Sequence, residues 1–251
     1  MNRFLLFTLL TLVVASTSFA QEEDSSVFVV SLHQCDRGRL DELIDLSRER
    51  YQPILQALVD EGQILQAGVA RHDWGDEYNL LTYHAAQDMS SALEGWEQMT
   101  ARYEEAYPDD NLFMEICPKH RDNFYTRHGS IRPATPAPPE GGERALAVSY
   151  FTCDYSRIGE ILADRGTREV PIVRALVEEG AMINESVFSH LWGDEWNLVF
   201  TRTAQDLPAL LGALDTFDER FEAEYGEGPS LLDQHCSAHK DNIYRMVIFA
   251  N

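Results

Sequence analysis

The sequence predicts an α+β protein built from two copies of one unit, each with its elements in the order βαββαβ. Two observations support this prediction. The segment His72–Leu80, HDWGDEYNL, returns as His190–Leu198, HLWGDEWNL, and the residues around both segments match at the same offset. Strand-like and helix-like patterns also follow one another in the same order in both copies. A repeat of this length is a domain-sized unit and not a solenoid module.

Each repeat contains four segments with the composition of β-strands. They are rich in β-branched and aromatic residues, and the Trp-Gly-Asp-Glu between the second and third has the residues of a tight turn. In the first repeat the predicted strands cover residues 27–32, 64–72, 78–84 and 123–127. In the second repeat, the first and last predicted strands cover residues 146–151 and 242–249.

Two amphipathic helices complete each repeat. Apolar residues recur at helical spacing over residues 39–61, and a second stripe follows residue 88. Proline lacks the backbone N–H that a helix interior needs, so a proline within the first stripe predicts a helix broken into two pieces. The residues behind these predictions are Pro53 and Pro171 for the break, Gly62 and Gly180 for the end of the first helix, and Asp88 and Asp206 for the N-cap of the second.

Two further segments mark the ends of the repeats. Residues 1–20 have the form of a signal peptide, with a basic start, an apolar stretch, and small residues before a predicted cleavage site at Gln21. Residues 129–143 are rich in proline and glycine and are predicted to be a linker. The predicted repeats therefore cover residues 21–128 and 144–251, in a protein exported to the periplasm or the extracellular space.

The chain is strongly acidic. Its 42 Asp and Glu residues against 20 Lys and Arg residues give a formal net charge of −22. Such a charge repels nucleic acid and anionic lipid surfaces, so no nucleic-acid partner is expected. The acids are spread through both repeats, which favours a solvated surface over an acidic binding face. No segment after the predicted signal peptide has the apolar length of a membrane span.

The order of elements in each repeat resembles the ferredoxin-like unit of the dimeric α+β-barrel superfamily. That superfamily includes antibiotic-biosynthesis-type monooxygenases, EthD-like proteins and haem-handling relatives. The resemblance implies two ferredoxin-like units packed sheet to sheet as a pseudo-dimeric barrel, with the tandem repeat in place of homodimerisation. It rests on element order and no catalytic motif matches, so it transfers no site residue and identifies no cofactor.

Most residues that are identical in both repeats and chemically reactive are predicted to share one edge of the sheet. In a βαββαβ unit the end of the first strand, the turn between the second and third, and the start of the fourth lie at one edge. We call this edge the rim. Its candidate catalytic residues are His72, His190, Asp36, Asp154, Glu77 and Glu195, and its candidate binding residues are Trp74, Trp192, His120, His239, Asp122 and Asp241.

The four cysteines occupy matching positions at the rim. The repeat symmetry and an oxidising compartment predict two disulfides, Cys35–Cys117 and Cys153–Cys236. The alternative is a metal site built from each Cys-x-x-His segment, in which thiolate and imidazole bind the ion. No self-contained metal-ligand spacing such as H-E-x-x-H occurs, so no residue is assigned as a metal ligand.

Three hypotheses of function follow. In the first, the protein binds or converts a small molecule in a pocket between sheet and helices that opens at the rim. By analogy with the superfamily, such an enzyme is a cofactor-independent oxidoreductase or isomerase, with His72 and His190 as bases. In the second, it is a non-catalytic binding or interaction module whose rim is a disulfide-braced structural feature, with Gly75 and Gly193 forming turns. In the third, it is a metal-binding protein. A histidine with a perturbed pKa beside apolar walls favours the first.

Overall fold

A computed structural model of the chain describes residues 25–75, 77–133, 143–226 and 228–251. The predicted signal peptide and residues 134–142 of the predicted linker lie outside these residues. The strands are β1 (Val27–Gln34), β2 (Gln66–Trp74), β3 (Leu80–Ala86), β4 (Lys119–Ile131), β5 (Arg144–Cys153), β6 (Asn184–Trp192), β7 (Leu198–Ala204) and β8 (Cys236–Ala250). The helices are α1 (Leu40–Leu46), α2 (Gln52–Asp60), α3 (Met89–Ala106), α4 (Leu112–Ile116), α5 (Ile158–Glu178), α6 (Leu207–Tyr225) and α7 (Leu231–His235).

The eight strands form one closed antiparallel barrel in the order β1-β3-β2-β8-β5-β7-β6-β4. Each repeat contributes four neighbouring strands, and the repeats meet where β2 pairs with β8 and where β4 pairs with β6. The predicted α+β class and the pseudo-dimeric barrel of two ferredoxin-like units are therefore confirmed. The two sheets are bonded to each other along both edges, which closes the barrel.

Residues alternate along each strand between the barrel interior and the outer face. On β1, Phe28 and Leu32 pack inside the barrel, whereas Val29 packs outside it against the helical layer. This alternation follows from the two-residue period of a strand. The interior core combines residues of both repeats, namely Phe28, Leu32, Ala70, Leu81, Ala85, Tyr125, Leu146, Val148, Tyr150, Phe188, Val199 and Tyr244. The two repeats therefore share one core and form a single cooperative body.

The two prolines have different effects on the first helix of each repeat. In repeat 1 a π-helical segment, Ser47–Tyr51, separates α1 from α2, and Pro53 lies in the first turn of α2. The predicted break is confirmed there. In repeat 2 the prediction is wrong, because α5 runs unbroken through Pro171. Its buried face has residues on both sides of the proline, including Ile161 and Leu176, so packing against the sheet holds the helix together.

The predicted helix ends agree with the structure, and the predicted linker is shorter than expected. Gly62 and Gly180 end their helices with φ of 72° and 77°. Asp88 and Asp206 cap the second helices, each accepting a backbone hydrogen bond at 2.8 Å. The start of the linker was wrong, because β4 continues to Ile131 and pairs there with β6. The short helices α4 and α7 were not predicted, since five residues are too few for a recognisable stripe.

Candidate functional site

The rim forms as predicted, and both rims lie at the same end of the barrel. The end of β2 pairs with the first part of β8, with Trp74 opposite Ile243. The end of β6 pairs with the first part of β4, with Trp192 opposite Phe124. All strands that end at the rim, namely β1, β2, β5 and β6, therefore point the same way. The reactive residues of both repeats converge at one end of the molecule.

Both predicted disulfides are present, joining Cys35 to Cys117 and Cys153 to Cys236. No cysteine is free in the described part of the chain, so the Cys-x-x-His segments lack the thiolate that a metal site would need. Among the same residues, no group of three or more His, Cys, Asp or Glu side chains is placed to hold a metal ion. The metal-binding hypothesis therefore has no support from this geometry.

Several predicted rim residues have structural or solvent-exposed positions. Asp36 accepts from the amide of Gly38 at 2.8 Å, and Asp154 accepts from the amide of Ser156 at 2.9 Å. Each carboxylate therefore caps a short 3₁₀ turn. Four other predicted residues are exposed to solvent: Glu77, Glu195, Trp74 and Trp192. Glu195 lies 4.0 Å from Arg121, and Trp74 and Trp192 are 60% and 74% exposed. The two tryptophans, which the sequence names as candidate binding residues, are therefore not packed into the protein.

His72 and His190 lie on the inner side of the barrel wall. The ring of His72 is 5.1 Å from the ring of Tyr244, and the ring of His190 is 5.8 Å from that of Tyr125. Each histidine thus contacts a tyrosine of the other repeat. Because side chains two residues apart share one face of a strand, His72 follows Ala70 into the interior and faces away from the helices. His72 and His190 therefore contact the other repeat at the rim end of the shared core.

The Trp-Gly-Asp-Glu turns dock on the Asp-Asn pair at the start of the other repeat's last strand. The amide of Asp194 donates to Oδ1 of Asn123 at 2.9 Å. A Cβ on Gly193 would lie 2.1 Å from this oxygen, and a Cβ on Gly75 would lie 1.8 Å from Oδ1 of Asn242. We call these two contacts the inter-repeat latches. They give a structural reason for both motifs to occur in both copies.

A cavity of about 390 Å³ lies on the outer face of the sheet of repeat 1, beneath the helices. We call it the helix-side pocket. The predicted residues His120 and Asp122 line it, and so do several residues that sequence reasoning missed. The unpredicted lining residues with polar or aromatic side chains include Ser31, His33, Tyr51, Thr82, His84, Trp96, Tyr103 and Phe113. The predicted pocket between sheet and helices therefore exists, and its chemistry differs from the predicted set.

His33 is the buried polar centre of the helix-side pocket. Its side chain is 6% exposed, and its Nε2 lies 3.0 Å from Oγ1 of Thr82. Its Nδ1 has no hydrogen-bond partner among the residues that the structure describes. The ring centroid lies 5.8 Å from that of His120. A buried ring nitrogen without a partner is costly, so this atom is a candidate ligand contact.

His120 lies beside His33 and contacts the carboxylate of Asp122, which in turn accepts a hydrogen bond from Ser31. Its Nε2 lies 3.3 Å from Oδ2 of Asp122. The other oxygen of Asp122 accepts from the hydroxyl of Ser31 at 2.6 Å. Both side chains are nearly half exposed, so they stand at the entrance of the pocket whereas His33 stands inside it. The carboxylate orients the imidazole, which is the arrangement of a histidine prepared for proton transfer.

Burial controls the ionisation of the pocket residues. Loss of hydration lowers the pKa of His33 to about 4, with a further lowering from His120 that Asp122 partly offsets. The ring of His33 is therefore neutral at pH 7. Burial also raises the pKa of Tyr51 to about 12. Tyr51 stacks on Tyr103 at 4.0 Å between ring centroids, and Tyr103 donates to Asp110 at 2.5 Å. Both tyrosines are thus neutral aromatic walls.

Repeat 2 has the rim dyad, but larger or charged side chains occupy the positions that correspond to several pocket residues. His239 lies 3.3 Å from Asp241, yet its ring stacks on Phe151, which occupies the position of His33. Four other pocket positions have a larger or a charged residue in repeat 2: Arg165 replaces Ser47, Glu169 replaces Tyr51, Phe200 replaces Thr82 and Arg202 replaces His84. The buried carboxylate of Glu185 binds both arginines and fills this space. A position-by-position comparison of the repeats would have identified His33 from the sequence, because its counterpart in repeat 2 is Phe151.

The depressed pKa of His33 predicts a stability change with pH. The unfolded chain protonates this ring near pH 6.5 and the folded protein near pH 4, so the unfolded state binds more protons between these values. The stabilising effect is complete above pH 6.5 and is lost as the pH falls towards 4. We expect the free energy of unfolding of the wild type to fall by about 3 kcal/mol more than that of His33→Phe over this window. Urea unfolding at pH 7 and pH 4 measures the free energies of unfolding of the wild type and of His33→Phe. His239→Phe is the control, and it should behave like the wild type.

Comparison with known proteins finds the fold and no close relative. No family model matches the chain, and no curated protein matches it. A candidate monooxygenase from Lactobacillus acidophilus NCFM superposes with a TM-score of 0.62 at 10% identity, covering 90% of this chain and 96% of its own. An anthrone oxidase-like protein gives 0.53 at 13% identity, covering 91% and 94%. A chlorite dismutase from Candidatus Nitrospira defluvii gives 0.55 at 10% identity, covering 89% and 91%. The chain therefore shares its fold, a dimeric α+β barrel, with these proteins.

The lining of the helix-side pocket does not fit haem, although the superfamily includes haem-handling proteins. Haem carries two carboxylates and needs an axial ligand from the protein. No Lys or Arg among the described residues lines the pocket, whereas Asp122, Glu104 and Asp110, which pairs with Arg50 outside the lining, do. Nε2 of His33 and Nε2 of His84 are engaged by Thr82 and by the carbonyl of Ala92, whereas His120 is an imidazole at the entrance, so the misfit with haem lies in the negative charge of the lining. The lining suits a neutral or cationic molecule, because carboxylates repel an anionic ligand.

Proposed function

We propose that this protein is an exported cofactor-independent oxidoreductase that acts on a neutral aromatic small molecule in the helix-side pocket. The observation that carries the proposal is the buried, neutral His33, with an unpartnered ring nitrogen, in a pocket with aromatic walls. The names of two structural neighbours, a candidate monooxygenase and an anthrone oxidase-like protein, describe reactions of the same class. A perturbed histidine in an apolar pocket is the expected sign of a functional site.

The proposal of export has independent support. The two disulfides are stable in an oxidising compartment and rare in a reducing one. No described helix is long and apolar enough to cross a membrane. The signal-like pattern of residues 1–20 supplies the route of export in this proposal.

His33 is assigned as a hydrogen-bond donor to a substrate oxygen. A pKa of about 4 makes its ring a weak base but keeps it neutral. When the hydroxyl of Thr82 donates to Nε2, the proton of the ring stands on Nδ1, which has no partner among the described residues. A neutral imidazole in such a position polarises a carbonyl and stabilises the enolate that forms from it.

His120 is assigned as the general base, oriented by Asp122. It takes a proton from a carbon next to the polarised carbonyl or in conjugation with it, and the resulting enolate carries the electron pair. Dioxygen is the oxidant. Overall, a CH₂ group and O₂ give C=O and water. One oxygen atom enters the product, and the other leaves as water with the two hydrogens of the CH₂ group. The carbon loses four electrons, and O₂ gains them. In this proposal His120 replaces His72 and His190 as the base, because those rings face the barrel interior.

The test uses anthrone, a neutral tricyclic ketone with an acidic CH₂ group, in aerated buffer. We expect one O₂ consumed for each anthraquinone formed. His120→Ala is expected to lower kcat/KM by a factor of about 10² to 10⁴, the usual contribution of a general base. His33→Phe, which introduces the residue found in repeat 2, is expected to lower it about 10²-fold through loss of the donor. The rates of oxygen uptake and of the rise in product absorbance measure the activity of both variants.

His239→Ala is the matched control, since His239 forms the same dyad beside Phe151, which takes the place of His33. Its activity should equal that of the wild type. If His239→Ala lost as much activity as His120→Ala, the reaction could not be assigned to repeat 1, and the proposal would be contradicted. Anthrone binding to the wild type without oxygen uptake would instead favour the second candidate, an exported binding protein. This candidate is supported by the existence of the pocket itself.

A further inference from the structure

A second cavity, of about 270 Å³, lies inside the barrel and is separate from the helix-side pocket. We call it the barrel cavity. Its walls are mainly the interior apolar residues of both repeats, among them Leu81, Leu146, Val148, Phe188 and Val199. Tyr83 lines both cavities. These walls are mainly apolar, so hydrophobic burial dominates the binding free energy of a ligand whose apolar part lies against them.

Polar groups of the barrel cavity gather at the end opposite the rim. Gln66 and Asn184 stand at the first residues of β2 and β6, and Thr203 lies near the end of β7. Arg144 stands at the first residue of β5 and lies in the same lining. The cavity therefore has an apolar body and one polar end. A ligand that fits it has the same two parts.

Among the residues that the structure describes, Arg144 is the only charged one in the lining of the barrel cavity. Its guanidinium forms no ion pair or hydrogen bond with a side chain in the part of the chain that the structure describes. Most other arginines of this acidic protein pair with carboxylates, as Arg245 does with Asp73. An arginine that pairs with no described carboxylate and lies beside an apolar cavity attracts the carboxylate of a ligand, to which it donates charge-assisted hydrogen bonds.

We propose that the barrel cavity binds an unbranched medium-chain carboxylate, with its alkyl chain between the strands and its head group at Arg144. One guanidinium balances one negative charge, which favours a monoanion over a phosphate ester. The volume is below that of most drug-sized pockets and suits a single alkyl chain. The helix-side pocket has the opposite lining, with carboxylates and no cation, so the two cavities select different ligands. This inference does not depend on the proposed enzymatic function.

Calorimetric titration with octanoate, octanol and octylamine tests the head group. We expect octanoate to bind about tenfold or more tightly than octanol, and octylamine to bind least. Arg144→Gln should weaken the binding of octanoate by the same factor and leave the affinity for octanol unchanged. Arg174→Gln, at an exposed position on α5, is the matched control and should bind octanoate as the wild type does. Circular dichroism and the Tm of each variant show that the fold is kept.

A series from hexanoate to dodecanoate tests the apolar body. Affinity should rise about fourfold for each added methylene until the chain outgrows the cavity, and then stop rising. Binding that is lost in His33→Phe would place the ligand in the helix-side pocket and overturn the proposal. So would equal affinity for octanoate and octanol, an Arg144→Gln variant that binds like the wild type, or no dependence on chain length.

Discussion

Replacing Cys35 and Cys117 by alanine is expected to lower the free energy of unfolding by about 4 kcal/mol. The disulfide joins residues 82 apart in the sequence, so its removal frees a long loop in the unfolded chain. It also ties the end of β1 to the segment entering β4, against the buried side chains of Leu43 and Ile116. Urea unfolding of the oxidised wild type and of the Cys35→Ala/Cys117→Ala variant measures the difference.

The second disulfide is a matched control within the same chain. Cys153 and Cys236 are 83 apart in the sequence, so their replacement should cost a similar free energy of unfolding. The effects on the helix-side pocket should differ, because only the first disulfide lies next to His120 and α4. We therefore expect oxygen uptake to fall in the first variant and not in the second. A loss of stability below about 1 kcal/mol in either variant would show that the disulfides do not brace the fold.

Gly193→Ala is expected to lower the free energy of unfolding by about 3 kcal/mol. Gly193 has φ of 134°, a conformation that residues with a side chain rarely adopt. The added Cβ would also lie 2.1 Å from Oδ1 of Asn123, which is buried and accepts from the amide of Asp194. Displacing Asn123 breaks the inter-repeat latch and leaves buried polar groups without partners. Urea unfolding at pH 7 gives the size of the effect.

Two further variants separate backbone strain from the latch. Gly166→Ala in α5, where nothing lies within 4 Å of the added Cβ, should raise the stability by about 0.5 to 1 kcal/mol. Gly193→Ala combined with Asn123→Ala removes the contacts with the Asn123 side chain but keeps the backbone strain and the approach of the added Cβ to the backbone oxygen of Asp122 at 2.9 Å. The cost of the double variant should therefore be less than the sum of the costs of the two single changes. Strict additivity, or a cost of Gly193→Ala below about 1 kcal/mol, would contradict the latch.

Local chemistry determined much of this protein. The match between the two halves predicts the repeat, and the repeat symmetry selects one disulfide pairing out of three. Asp88 and Asp206 cap their helices because a short polar side chain bonds to free amides only two or three residues away. These features depend on neighbours in sequence, or on symmetry, and both are visible without coordinates.

The tertiary structure decided which reactive residues meet. His72 and His120 share the rim, but the two-residue period of a strand and the barrel closure put the first inside the wall and the second outside it. Motifs that occur in both repeats turned out to hold the repeats together, as Gly193 and Asn123 do. The pocket depends on His33, which Phe151 replaces in repeat 2. Identity between the repeats therefore identified the shared architecture, and the difference between them identified the site.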